Sequence, residues 1–243
     1  MTITAAASGS GSAYVTDRHS HCWFRTSCNA YTGDSISISE APDSGNRFNG
    51  WSGGTCSGTD NPCTFNASET ETDTASFATQ ATVSVGTSGS GTVTLSDANT
   101  LAGCSNVTSC LAALGDSVTL TATPASGYRF TGWSGGSHCS ATTNPCTFTV
   151  SGAEAYTASF VKTVMITAAV GGSGSARISD SNALAGCANV TSCLADVGDK
   201  ITITPTASSG NRFTGWSGGT CTGTTSPCVI NSLAAAETDT ANF

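Results

Sequence analysis

The residues of this chain whose type and spacing could do chemistry are its cysteines: 12 among 243 residues, in three sets of four. Cys22 and Cys28, Cys104 and Cys110, and Cys187 and Cys193 each enclose five residues. Cys56 and Cys63, Cys139 and Cys146, and Cys221 and Cys228 each enclose six. Four thiols per set permit three pairings, or a zinc ion held by four thiolates. Structural zinc usually takes ligands about two to four residues apart within a pair, closer than these. Turn formers inside the loops, such as Asn61-Pro62 and Asn144-Pro145, bring the ends together, so two local disulfides per set are expected. A loop this short is worth roughly 2 to 2.5 kcal/mol in the chain-entropy account. Disulfides persist in oxidising surroundings, which places the chain outside the cell or on its surface.

Other reactive groups form no comparable pattern. His19 and His21 make an alternate pair without an identifiable third metal ligand. No histidine stands beside a nucleophile in a recurring motif, no close pair of acids is set apart from the turns, and no glycine-rich phosphate loop leads into a helix; the chain is expected not to be an enzyme, with no catalytic residue, resident metal or cofactor. The net charge is -8, and the eight Lys and Arg never cluster into a stripe, so nucleic acid is not an expected partner. Asn66-Ala67-Ser68, Asn106-Val107-Thr108 and Asn189-Val190-Thr191 fit the glycosylation triplet, which chance also produces in a Thr-rich chain.

The cysteines are carried by a threefold repeat. Arg47-Phe48-Asn49-Gly50-Trp51-Ser52-Gly53-Gly54 returns 82 residues later from Arg129 and 83 residues after that from Arg212. The units are residues 1–77, 80–160 and 163–243, near the size at which staples help a small core. An aromatic beside glycines could stack on a sugar, but Trp51, Trp133 and Trp216, each next to a phenylalanine, read better as the hub of a small core. Arg47, Arg129 and Arg212 are expected to be solvated, with stacking on an aromatic face the alternative. Repetition without a unique constellation argues for construction rather than one active site.

Within a unit the periodicity is that of short strands. With only 10% charged residues and 28 glycines there is little material for amphipathic helices. In the second unit a hairpin spans Ala81–Leu95, and Val118, Leu120 and Ala122 alternate with polar residues toward a core. A strand over Tyr128–Trp133 and a closing strand over Ala155–Phe160 follow. This pattern predicts six strands per unit, with Cys110–Leu114 a short helix or a turn, and Asp34, Asp116 and Asp199 each holding a turn. No membrane-spanning segment or secretory signal appears, and the chain is expected to be a mature or excised piece of a longer precursor.

The first unit departs from its siblings in one place. Between its first two cysteines it reads Trp23-Phe24-Arg25-Thr26-Ser27, preceded by Arg18, His19 and His21, where the others read Ser105-Asn106-Val107 and Ala188-Asn189-Val190. Trp23, Phe24 and Arg25 are therefore the candidate contact for a ligand or a neighbouring subunit, against the plainer reading that an array end is merely capped there.

Ser117-Val118-Thr119-Leu120-Thr121-Ala122, Phe130-Thr131-Gly132-Trp133-Ser134-Gly135 and Thr157-Ala158-Ser159-Phe160 resemble the divergent internalin-type B-repeat, a bacterial surface repeat. The resemblance covers all three units. It implies mainly-β, β-grasp-like modules in secreted or wall-attached proteins, and it brings no catalytic residues. Three functions follow as expectations: an extracellular stalk or filament-forming subunit that associates with itself or with neighbouring repeats; a glycan- or surface-binding adhesin; and an accessory segment of a secreted enzyme.

Overall fold

A computed structural model of the protein describes residues 1–98, 103–182 and 186–243. The first module contains β1 (Thr2–Ser8), β2 (Gly11–Asp17), β3 (Cys22–Arg25), β4 (Ser27–Asn29), β5 (Ser35–Pro42), β6 (Asn46–Ser52) and β7 (Cys63–Asn66), and it is closed by the start of β8 (Glu71–Ser88). The second continues from β8 through β9 (Gly91–Asp97), β10 (Ser109–Ala113), β11 (Ser117–Pro124), β12 (Tyr128–Gly135) and β13 (Cys146–Thr149) into β14 (Glu154–Gly171). The third runs from β14 through β15 (Gly174–Asp180), β16 (Ala188–Val190), β17 (Ser192–Asp196), β18 (Ile201–Ala207), β19 (Gly215–Ser217) and β20 (Cys228–Ile230) to β21 (Glu237–Asn242). Among the described residues there is no helix, and so none long and apolar enough to cross a membrane.

Each module is two sheets around its own core. In the first, β2 pairs with β3 and β5, and β5 with β7, all antiparallel. The second sheet is mixed: β1 runs parallel to β8, with Ile3 opposite Glu71 and Ser8 opposite Ser76, and is flanked by antiparallel β4 and β6. This parallel pairing of a module's first and last strands is the β-grasp-like element, and it recurs as β8 with β14 and β14 with β21. Period-2 alternation sends Ile3, Val15, Ile36 and Ile38 inward, all fully buried, with Val83, Leu95, Val118 and Leu120 doing the same in the second module.

Two features differ from the sequence reading. The modules have more than six strands, because the disulfide loops themselves pair. Cys110–Leu114 is not a helix: its first four residues belong to β10, which lies antiparallel on β8 with Cys110 opposite Val83 and buries Ala112 and Ala113 while Leu111 stays exposed, and only Leu114 starts the turn. Ladder hydrogen bonds and the small inward side chain of Ala112 outweigh the local helix propensity. The junctions also contain no linker. β8 and β14 are 18 residues each, so the strand that closes one module is the strand that opens the next. The inward face stays in phase through the joint, with Asp73, Ala75 and Phe77 buried in the first module and Val83 and Val85 in the second.

Candidate functional site

All 12 cysteines are paired locally, two disulfides per module: Cys22–Cys28 and Cys56–Cys63, Cys104–Cys110 and Cys139–Cys146, Cys187–Cys193 and Cys221–Cys228. No thiolate is left for zinc, and among the described residues no group of three or more His, Cys, Asp or Glu is placed to hold a metal ion.

The tryptophans anchor the second disulfide loop from below. Trp51, Trp133 and Trp216 are 5%, 7% and 7% exposed. Their indole N–H groups donate to the loop carbonyls of Asp60, Thr143 and Thr225 at 3.0, 2.9 and 2.8 Å. Each ring takes the edge of its neighbouring phenylalanine at a centroid distance of 5.2 Å. The last glycine of the signature makes room for what lies across the loop. A Cβ on Gly54 would come within 2.7 Å of the Asp73 carboxylate, and one on Gly136 within 2.1 Å of the Tyr156 ring.

Behind that glycine, in the first and third modules, sits a cluster of acids that the sequence did not reveal. Asp73 and Asp239 are fully buried, and each accepts a 2.7 Å hydrogen bond from the backbone N–H of Cys56 or Cys221. Two residues earlier on the same strand face, Glu71 accepts from the Thr55 hydroxyl and Glu237 from that of Thr220, both at 2.7 Å. Glu237 also lies within hydrogen-bonding reach of Asp239. Burial is the main force pushing both aspartates up, Asp73 above its usual range and Asp239 to about 6, with the neighbouring glutamate adding to it. The middle module has Tyr156 at this place, and its hydroxyl donates to Glu154. The i, i+2 spacing of the acids was readable, but their shared burial depended on the loop that covers them.

The arginines of the signature are neither stacked nor solvated at the two joints. Arg47 is 8% exposed and donates from Nη2 to Asp116 Oδ2 of the next module at 2.9 Å, a carboxylate that also accepts the Ala113 N–H at 2.9 Å. Arg129 makes a two-pronged contact with Asp196, from Nε and Nη2 to the two carboxylate oxygens. The backbone adds Gln80 N–H to Gly45 and Thr163 N–H to Gly127, both at 2.8 Å. Arg212, the third copy, is exposed. Asp34 and Asp199 hold turns, accepting from the N–H groups of Tyr31 and Asp196 at 2.7 and 2.9 Å. In the first module the acid takes its cation from the same module: His19 Nδ1 lies 2.6 Å from Asp34 Oδ1. That hydrogen bond raises the His19 pKa, while the Tyr31 N–H and then His19 hold Asp34 below the usual carboxylate range.

The first module's loop places Trp23, Phe24 and Arg25 on β3, at the edge of the module's antiparallel sheet, all exposed. Phe24 meets Tyr14 of β2 edge-on at 6.4 Å.

The divergent InlB B-repeat domain model matches residues 1–81, 81–164 and 162–243 of the chain. No curated protein matches the sequence. Among solved structures, a chain of the Bacillus anthracis TIE protein aligns over all of this chain and 50% of its own length, at 9% identity and a TM-score of 0.26, a likeness too slight to speak for fold or function. The chain thus spans about half of that solved chain.

Proposed function

The chain belongs to the divergent InlB B-repeat domain family, and we propose that it serves as an extracellular structural repeat, a bacterial surface stalk that acts by spacing rather than by catalysis. The observation that carries this reading is the joint. A single 18-residue strand crosses each module boundary, and an arginine of one module is paired with a buried or half-buried acid of the next. At about 3.3 Å per residue such a strand spans roughly 60 Å, so consecutive modules share one stiff element instead of a hinge. Six disulfides support an oxidising, extracellular setting.

Small-angle X-ray scattering tests it. The intact chain should give one well-defined maximum dimension, and inserting Gly-Gly-Ser between Thr79 and Gln80 should broaden it without unfolding the modules. A wild-type profile that already requires an ensemble of bent arrangements would sink the stalk reading.

A filament version is favoured by one observation: Arg212 is exposed while its two counterparts are clamped. Its guanidinium is available to an acid of a further module, whether that module follows in the same chain or belongs to another molecule. Light scattering should then report concentration-dependent association that Arg212→Glu abolishes.

A further inference from the structure

We propose that the outer face of the first module's antiparallel sheet, bounded by the Cys22–Cys28 loop, is a binding site for an acidic carbohydrate, an oligosaccharide bearing carboxylates. This goes beyond the stalk reading and stands without it.

The argument begins with a backbone cost. Phe24 has φ 51°, and the residues at the same loop position in the other modules, Asn106 and Asn189, have φ 53° and 56°. Asparagine tolerates this left-handed conformation, whereas phenylalanine adopts it against steric resistance. Burial does not offset that resistance, because Phe24 is 67% exposed. Its neighbour Trp23 is 52% exposed at a position where the siblings have Ser105 and Ala188. Tyr14, edge-on to Phe24, replaces Thr94 and Arg177. The first module thus gathers three aromatics on one outer face, at strained or wet positions, where the others keep small or polar side chains. Strain and exposed apolar surface concentrated at one place mark a surface built for contact.

The rest of the face says what fits it. Trp23 and Phe24 wall a groove of about 550 Å³, inside the roughly 300–1,000 Å³ range of small-molecule sites. Its floor carries the hydroxyls of Ser37 and Ser39 on β5 and Thr64 on β7, and Arg18 stands at its rim. Aromatic faces take the C–H side of a sugar ring, and serine and threonine hydroxyls exchange hydrogen bonds with its hydroxyls. A protein anchor would instead need a dry apolar pocket. Arg18 is exposed and makes no ion pair among the described residues, whereas the acids close by are buried and occupied: Asp17 by the His19 N–H and the Ser20 hydroxyl, Asp34 by Tyr31 and His19. On a chain of net charge -8 this face offers a free guanidinium group, that of Arg18, which suits a carboxylate by a two-pronged hydrogen bond.

Isothermal titration of the full chain with trigalacturonate, maltotriose and poly-L-glutamate tests the proposal. Trigalacturonate should bind with an affinity that falls as salt rises. Arg18→Gln should weaken it at least tenfold, and the double substitution Trp23→Ser, Phe24→Asn should remove it. That double variant carries the residues of the second module at these positions and should fold; its circular dichroism and melting curve check that it has. Four results overturn the proposal: no binding of trigalacturonate, which leaves protein contact as the use of the aromatics; equal binding of maltotriose; equal binding of poly-L-glutamate; or undiminished binding by the folded double variant.

Discussion

The second disulfide loop is built alike three times, whereas the first is built alike twice and altered once. Around Cys56–Cys63, Cys139–Cys146 and Cys221–Cys228 the same indole N–H reaches the same kind of carbonyl, and the same glycine yields to the residue opposite. Around the first disulfide, Val107 and Val190 lean on their cores in modules two and three, while Arg25 in the same place points to solvent beside two exposed aromatics. The tryptophan anchor shared by all copies belongs to construction. Backbone strain accepted in a single copy belongs to recognition.

The hardest way to break the constant loop is to remove its anchor. Trp133→Ala leaves a cavity and an unsatisfied Thr143 carbonyl, and it should cost about 3 to 5 kcal/mol, read as a lower denaturant midpoint for the middle module. A second change separates the constant loops from one another by pH. The Asp239 carboxyl titrates at about 6 when folded against an ordinary 3.8, so the folded state holds the proton more tightly. Its stabilising contribution is complete below about pH 4 and is lost as pH rises through about 6. Asp239→Asn should remove that dependence from the third module. The middle module, where Tyr156 supplies a proton donor in place of the carboxylate, should lack this loss, and chemical unfolding at pH 4 and pH 7 distinguishes them. Replacing Cys139 and Cys146 together by Ser should cost roughly 2 kcal/mol through the freed loop. The smallest effect falls on the altered loop and has the opposite sign: Phe24→Asn should stabilise the first module by about 1 kcal/mol by relieving the left-handed backbone. A loss of stability there would mean that Phe24 packs rather than protrudes, and the contrast between the two loops would fail.

Much of the construction was legible because it is local. Cysteines seven or fewer positions apart, alternation such as Val118 and Leu120, and a tryptophan recurring beside a phenylalanine are all written within a few residues of one another. What escaped depends on register over long distances. Arg47 and Asp116 are 69 positions apart, Arg129 and Asp196 are 67, and neither partner alone signals the other. The two acids are not even at corresponding positions, since Asp196 aligns with Ala113. The boundary at Ala78-Thr79-Gln80 is strand because Arg47 and Asn46 pair with Ala78 and Thr79, and Ala113, 33 positions on, pairs with Gln80. The altered loop was conspicuous in the sequence, but the value of Phe24 became clear only when its φ was set beside those of Asn106 and Asn189.

The parallel pairing of each module's opening and closing strands has a mechanical consequence. A pull along the array enters a module through the start of its first strand and leaves through the end of its last. In β1 and β8 those two strands are parallel neighbours from Ile3 opposite Glu71 to Ser8 opposite Ser76. The tension therefore slides one strand lengthwise along the other and loads the ladder's hydrogen bonds together, in shear, instead of peeling them open one by one. Both disulfide loops lie in the chain between the sheared strands, outside the path of the force, so the ladder must give way before either is stretched.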